Sequence, residues 1–313
     1  MCTQGGNEMA LFRFMIKDYL EDKELSGLAP RTIQSYGDTL NEFSRWLVTD
    51  KDIINVEDVT PPVIKSYLLY CSKERGNTVV TRNGKLQHLK TFFRYLEDED
   101  IIEIRSNPTN KIKPAKTDKT IKVYSDEQIK QMLRYYRRMR SRENTLYSYR
   151  GHTVIVVLAG TGIRLGELVS MRWDSVDLLN KTITIFGKNR KSLSTPLTDK
   201  VARELHEWRL FCEKYYIKMP AHVFNDHRGS PLTVNAVKLM FTRLSHRVGF
   251  KTTAHMFRHT YASNCLRAGM DIYTLSKLMH HSQIRTTEVY LHAFGNSLAE
   301  SNDKYNPLNR FDF

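Results

Sequence analysis

Apolar residues in the first third of the chain recur at helical spacing. In ALFRFMIKDYLEDKEL, Leu11, Phe14, Met15 and Leu20 fall near one stripe of a helix. Ser26 to Pro30 interrupt the period, and RTIQSYGDTLNEFSRWLV resumes it with Ile33, Tyr36, Leu40, Phe43 and Leu47. Thr60-Pro61-Pro62 predicts another helix start, a capping hydroxyl followed by prolines in the first turn. KLQHLKTFFRYLEDEDII carries a fourth helical pattern. These spacings predict a four-helix unit over residues 1–105.

The pattern then changes. SNPTNKIKPAKTDKTIKV, residues 106–123, offers little that could join a core and reads as a linker. Its lysines, Lys111, Lys113, Lys116, Lys119 and Lys122, could lie along a phosphate backbone, and a merely solvated linker fits equally. Ser125 begins a new helix, with Asp126 and Glu127 where the helix dipole favours acids. RYYRRMRSR near its other end is a candidate DNA contact or a solvated helix end. KTITIFGKNRKSLSTPL alternates as a β-hairpin does around a polar, Gly-containing turn. From Leu232 the helical period returns, broken at Gly249, Gly269 and Ser282. The expected fold is mainly α with a small β-hairpin, in two domains, the second spanning residues 124–313 with its tail.

Composition sharpens this picture at one point. The 313 residues suffice for two cores, and 41% are hydrophobic. The net charge of +14 is unevenly spread: residues 1–113 carry 16 Lys/Arg against 17 Asp/Glu, and residues 114–313 carry 32 against 17. A basic excess of that size suggests a polyanionic partner, most often nucleic acid, although a solvated basic surface fits charge alone as well. Cys2, Cys71, Cys212 and Cys265 are scattered without a CxxC pair, which favours free thiols in a reducing compartment over a disulfide framework or zinc site. The N-terminus lacks a signal-peptide pattern, and the apolar run Val154 to Gly160 is too short to span a bilayer. A soluble cytoplasmic protein with no membrane partner is expected.

Cutting a DNA strand without a metal makes three demands. The nonbridging oxygens must be neutralised, a nucleophile activated, and the leaving 5′ oxygen protonated. Arginine forks match phosphate and stay charged. A tyrosine hydroxyl can be activated by nearby cations, and lysine or histidine can donate the proton. The chain holds such a set. GTGIRLGEL carries Arg164 at a helix start, and the hairpin turn carries Lys188. AHMFRHTYA carries His255 and Arg258 on one helical face, and MHHSQIRTTEVYLHA carries His280, His281 and Tyr290.

In this order and spacing the boxes resemble those of the tyrosine recombinases of the phage-integrase and Xer type, over nearly the whole chain. TGIRLGEL is similar to the box of that family's first arginine, placing it at Arg164. The hairpin lysine falls on Lys188, and HMFRHTYAS supplies His255 and Arg258. The final histidine, nine residues before the nucleophile, falls on His281, and the nucleophile on Tyr290. Three positions depart from the family's pattern: His280 and Asn189 stand where glycine is usual, and Leu291 where threonine is commoner. Glu167 is read as orienting Arg164, and His259 and His292 either as structural residues or as support behind the site.

The resemblance implies a two-domain DNA breaking-rejoining enzyme. Tyr290 attacks the scissile phosphate to give a 3′-phosphotyrosyl link and a free 5′-hydroxyl. Arg164, Arg258 and His281 hold the phosphate, His255 assists the tyrosine's proton, and Lys188 protonates the leaving oxygen. No metal or other cofactor is implied. The implied partners are double-stranded DNA at a specific site and a homotetramer, or a heterotetramer with a related recombinase, that passes through a Holliday junction on the nucleoid. Two rivals share parts of this reading: a type IB topoisomerase-like enzyme that reseals the same strand, and a non-catalytic DNA-binding regulator. The small helical N-terminal unit argues against the first, and the intact residue set against the second. The tail FGNSLAESNDKYNPLNRFDF, with Leu308, Phe311 and Phe313 among polar residues, is expected to dock on a neighbouring protomer or to fold back on its own domain.

Overall fold

A computed structural model describes residues 11–117, 121–186, 192–281 and 283–294, and residues 302, 306 and 307 of the tail. It divides after Lys119 into two compact units. The first is built on α1 (Phe12–Leu25), α2 (Pro30–Lys51), α3 (Pro61–Lys73) and α4 (Val79–Asp98). Pro30 opens α2, and Pro61 and Pro62 open α3, where a missing N–H costs nothing. Thr60 stands at the cap of α3, yet its hydroxyl makes no capping bond. Thr78 does cap α4, accepting from Thr81 N at 3.3 Å.

The core of this unit is aromatic, and it shifts the face expected for α1: Met15 and Leu20 pack at the core's edge, while two other residues of that set turn outward. Phe14 is 59% exposed and Leu11 39%. The buried stripe is Phe12, Ile16 and Tyr19. Phe12 packs its ring 5.5 Å from Phe43 and 5.2 Å from Phe92, and Tyr19 meets Phe92 edge-on. On α2 the buried residues Leu40, Phe43 and Leu47 follow the expected stripe.

Residues 106–117 are not a free strand of chain. Ile112 is buried in the first unit's core, and Asn107 and Thr109 are buried beside it. Asn83 on α4 grips Ala115 twice, donating to its carbonyl at 2.8 Å and accepting from its N–H at 2.9 Å. Lys111, Lys113 and Lys116 remain exposed on this packed segment. Lys122 is exposed at the start of the second unit, and Lys119 lies outside the described residues.

The second unit holds α5 (Asp126–Glu143), α6 (Leu146–Thr161), α7 (Leu165–Ser170), β1 (Val176–Asp177), β2 (Thr182–Phe186), β3 (Ser192–Pro196), α8 (Asp199–Tyr215), α9 (Val234–Val248), α10 (Ala254–Arg267), α11 (Ile272–Leu278) and α12 (Arg285–Phe294). Ser125 and Gln128 close a reciprocal capping box on α5. The apolar run Val154 to Gly160 lies in α6, which buries side chains all round as the unit's central helix. No described helix is long and apolar enough to cross a membrane. The hairpin gains a third strand: β1, β2 and β3 form an antiparallel sheet in that order, with Val176 opposite Ile183 and Ile183 opposite Thr195. The two-residue β1 is too short to carry a periodic signal. Arg140 of RYYRRMRSR is committed inward: it pairs with Glu204 at 2.8 Å and lies over the Tyr149 ring. His152 and Thr153 complete the bonds to that buried carboxylate. The rest of the arginine run stays at the surface, where Arg134, Arg138 and Arg142 share a cleft with Arg247.

Candidate active site

Two chain turns and one helix meet in the second unit. The first is the break between α6 and α7. Gly162 ends α6 with φ +63°, and a Cβ there would sit 2.5 Å from the Tyr261 ring. Both facts demand glycine. The turn delivers Arg164 to the start of α7. Glu167 holds it by accepting the Arg164 backbone N–H at 2.7 Å and its Nη1 at 2.9 Å. The Arg164 side chain stays half exposed.

The second element is α10, capped by Thr253, which accepts from Met256 N. It carries His255, Arg258 and His259. His255 is exposed; Arg258 is only 5% exposed. Among the described residues, Arg258 bonds to backbone carbonyls: Nη1 donates to Gly162 O at 2.7 Å and Nη2 to Met279 O at 2.6 Å. Burial, and then the Arg164 charge, pull its pKa down to about 10, still well above neutrality.

The third element is the turn between α11 and α12. Its consecutive carbonyls hold both arginines, Met279 O taking Arg258 and His280 O taking Arg164 Nη2 at 3.3 Å. His280 adopts φ +53°, and its Nε2 bonds Thr195 Oγ1 of β3 at 3.1 Å. His281 pairs Nδ1 with Thr287 Oγ1 of α12 at 2.6 Å, and Thr287 is fully buried. Burial, followed by the charges of Arg258 and Arg164, lowers the His281 pKa to about 4.

Tyr290 on α12 packs among Ala262, Leu266, Leu275 and Met279 and is 4% exposed. Burial raises its pKa, while Arg258 and Arg164 pull the other way. Its hydroxyl meets His259 Nδ1 at 2.9 Å. Assistance to the tyrosine was expected from His255; the bond is made by His259, one turn further along α10. His255 touches the His259 ring edge-on at 4.1 Å instead. The i, i+4 spacing of the two histidines was a sequence signal for a shared face.

Arg164, His255 and Arg258 line one cleft of about 530 Å³, closed on the α9 side by Phe241 and Lys238. Sequence reasoning passed over Lys238, an exposed cation on an amphipathic helix. Lys188 lies outside the described residues, as do Asn189 and Ser282; so do the tail residues Leu308, Phe311 and Phe313. Nothing about the side chain of His292 is described. No group of three or more His, Cys, Asp or Glu side chains that could hold a metal ion occurs among the described residues.

The comparisons with known proteins agree on a family. Residues 122–296 match the model of the phage integrase family, and residues 15–103 match that of the phage integrase N-terminal SAM-like domain. The chain is 28% identical to the tyrosine recombinase XerC of Bacillus pumilus over 309 residues, 96% of this chain and 97% of the relative. It is 30% identical to a tyrosine recombinase of Agathobacter rectalis, covering 85% and 87% of the two chains. In fold it is similar to the Tn1549 transposon integrase in complex with transposon right end DNA, with a TM-score of 0.77, 18% identity, and coverage of 94% and 99%. A family model that spans more than half of the chain, and relatives alike along almost all of it, identify this protein as a member of the phage integrase family and a site-specific tyrosine recombinase.

Proposed function

We propose that the protein cuts and rejoins double-stranded DNA through Tyr290, within a tetramer assembled on two copies of a specific site. The observation that carries this reading is one turn that holds both arginines, Met279 O taking Arg258 and His280 O taking Arg164, beside a tyrosine bonded to His259 on the helix that carries Arg258. The tyrosine oxygen attacks phosphorus, the bond from phosphorus to the 5′ oxygen breaks, and a 3′-phosphotyrosyl link remains. Arg164 and Arg258 stabilise the charge that gathers on the nonbridging oxygens. With Nδ1 of His281 occupied by Thr287, that imidazole would meet the phosphate through Nε2. Lys188 is assigned the proton for the leaving oxygen. A 5′-hydroxyl from the partner duplex then reverses the step, and four such exchanges pass through a Holliday junction.

The exposed Lys111, Lys113, Lys116 and Lys122, together with Lys119, and Lys238 at the cleft, are read as phosphate contacts. The first unit is assigned to gripping DNA and the second to catalysis. A cytoplasmic, nucleoid-associated location follows from such a substrate.

The test is a suicide duplex, nicked beside the cleavage point. Its sequence is that of junctions recovered from cells carrying the native flanking DNA. Wild-type protein should become trapped on the 3′ side. Tyr290→Phe should bind the duplex equally and give no adduct; an adduct from the Phe variant contradicts the assignment.

A further inference from the structure

The bond between His259 and Tyr290 joins the proposed nucleophile to a group that the sequence read only as structural or supporting. We propose that His259 accepts the Tyr290 proton during strand cleavage and returns it when the strand is resealed, an inference that rests on Tyr290 being the nucleophile. His259 Nδ1 lies 2.9 Å from the hydroxyl oxygen, within reach for direct transfer. Among the described residues, His259 is the hydrogen-bond partner of the Tyr290 hydroxyl. The tyrosine ring is fixed by packing against Leu266, Leu275 and Met279. The His259 ring also meets that of His255 edge-on, 4.1 Å away. Donor and acceptor are therefore both oriented before any DNA arrives.

The electrostatics leave His259 unprotonated but a weak base until the phosphate arrives. Burial, His255 and Arg258 hold the His259 pKa down to about 4, so the imidazole is neutral near pH 7 and can offer a lone pair. A neutral ring accepts at Nδ1 when its proton sits on Nε2. A scissile phosphate entering between Arg164 and Arg258 brings negative charge beside this pair. That charge offsets the arginines and raises the basicity of His259 at the moment a base is required. In the step itself, the tyrosine O–H bond breaks as the oxygen bonds to phosphorus. The proton goes to Nδ1, and the electron pair of the breaking phosphorus–oxygen bond leaves with the 5′ oxygen. Resealing reverses each movement: imidazolium gives its proton to the departing tyrosine oxygen.

The role separates His259 from residues that serve the phosphate. A DNA strand ending in a 3′-p-nitrophenyl phosphate can be joined to a 5′-hydroxyl without Tyr290, because p-nitrophenolate leaves unaided. That reaction still needs the arginines but has no tyrosine proton to move. Full-length His259→Ala and His259→Asn are compared with wild type in two reactions. One is cleavage of the suicide duplex described above, and the other is joining of the p-nitrophenyl strand. Both variants should slow covalent adduct formation by about 100-fold, the low end for loss of a general base, while joining stays within about threefold of wild type. The Asn amide can still hold the hydroxyl but cannot carry the proton, so full activity in His259→Asn would overturn proton transfer. An equal fall of cleavage and joining would also overturn it, by placing the effect at the arginines. Undiminished cleavage in both variants would do the same. An adduct that survives Tyr290→Phe would instead refute the nucleophile, leaving a separate mark. Nitrogen NMR of histidine-labelled free protein needs no DNA: His259 should be neutral with its proton on Nε2, and a proton found on Nδ1 would count against acceptance there.

Discussion

Residue 280 carries a side chain where its backbone favours glycine. The φ of +53° costs an L-residue about 1 kcal/mol or more. In return, the imidazole of His280 reaches Thr195 on β3, and its carbonyl holds Arg164. Alanine here would keep the strain and lose the Thr195 bond; glycine would lose the bond and the strain together. His280→Gly should therefore melt above His280→Ala by an amount equal to about 1 kcal/mol of stability. Thermal unfolding of the two variants decides this, and an Ala variant that melts higher would remove the strain from the account. The same turn explains how neighbouring histidines diverge. His280 bonds the sheet and His281 bonds α12, so one residue of register separates two different partners.

At the scale of an element, α1 shows what periodicity leaves open. Leu11, Phe14, Met15 and Leu20 and the set Phe12, Ile16 and Tyr19 both recur at helical spacing, because the helix is apolar around much of its girth. The choice fell to the second set because its rings fit against Phe43 and Phe92. Phe12→Ala should cost about 3–5 kcal/mol by emptying a packed core site. Phe14→Ala, at 59% exposure, should stay within about 0.5 kcal/mol of wild type. Denaturant unfolding of the first unit's signal in the full chain measures both, and comparable losses would return the helix to the face first expected. The basic stretch 106–117 makes the same point about composition. Its prolines and lysines read as linker, but Ile112 and the Asn83 grip on Ala115 tie it to the first unit.

For the whole molecule, the buried histidines set a pH dependence. His259 and His281 have folded pKa values of about 4 against the ordinary 6.5. Between these values the unfolded chain binds protons that the folded chain refuses, so stability falls as pH drops from 6.5 towards 4. Glu204, whose carboxyl is held below its ordinary value despite burial by His152, Arg140 and Thr153, adds a loss in the same direction at the acid end. The melting temperature should be level above about pH 7 and decline below 6.5. His259→Asn should flatten part of that decline. A melting temperature constant from pH 8 to pH 5 would mean that these imidazoles titrate as free histidine does.

The sequence by itself determined the order of helices, the hairpin, and which boxes carry Arg164, His255, Arg258, His281 and Tyr290. Local periods, caps and motif spacing are properties of neighbours along the chain, so they can be read without coordinates. Only the tertiary structure decided which face of α1 is buried, that the stretch 106–117 is packed, and that β1 joins the sheet. It also decided that His259, rather than His255, meets the Tyr290 hydroxyl, and that the carbonyls of Met279 and His280 hold the two arginines. These contacts join residues from about 20 to more than 100 positions apart. Backbone carbonyls have no identity in a sequence, and the reach of a histidine on α10 depends on where α12 lies against it.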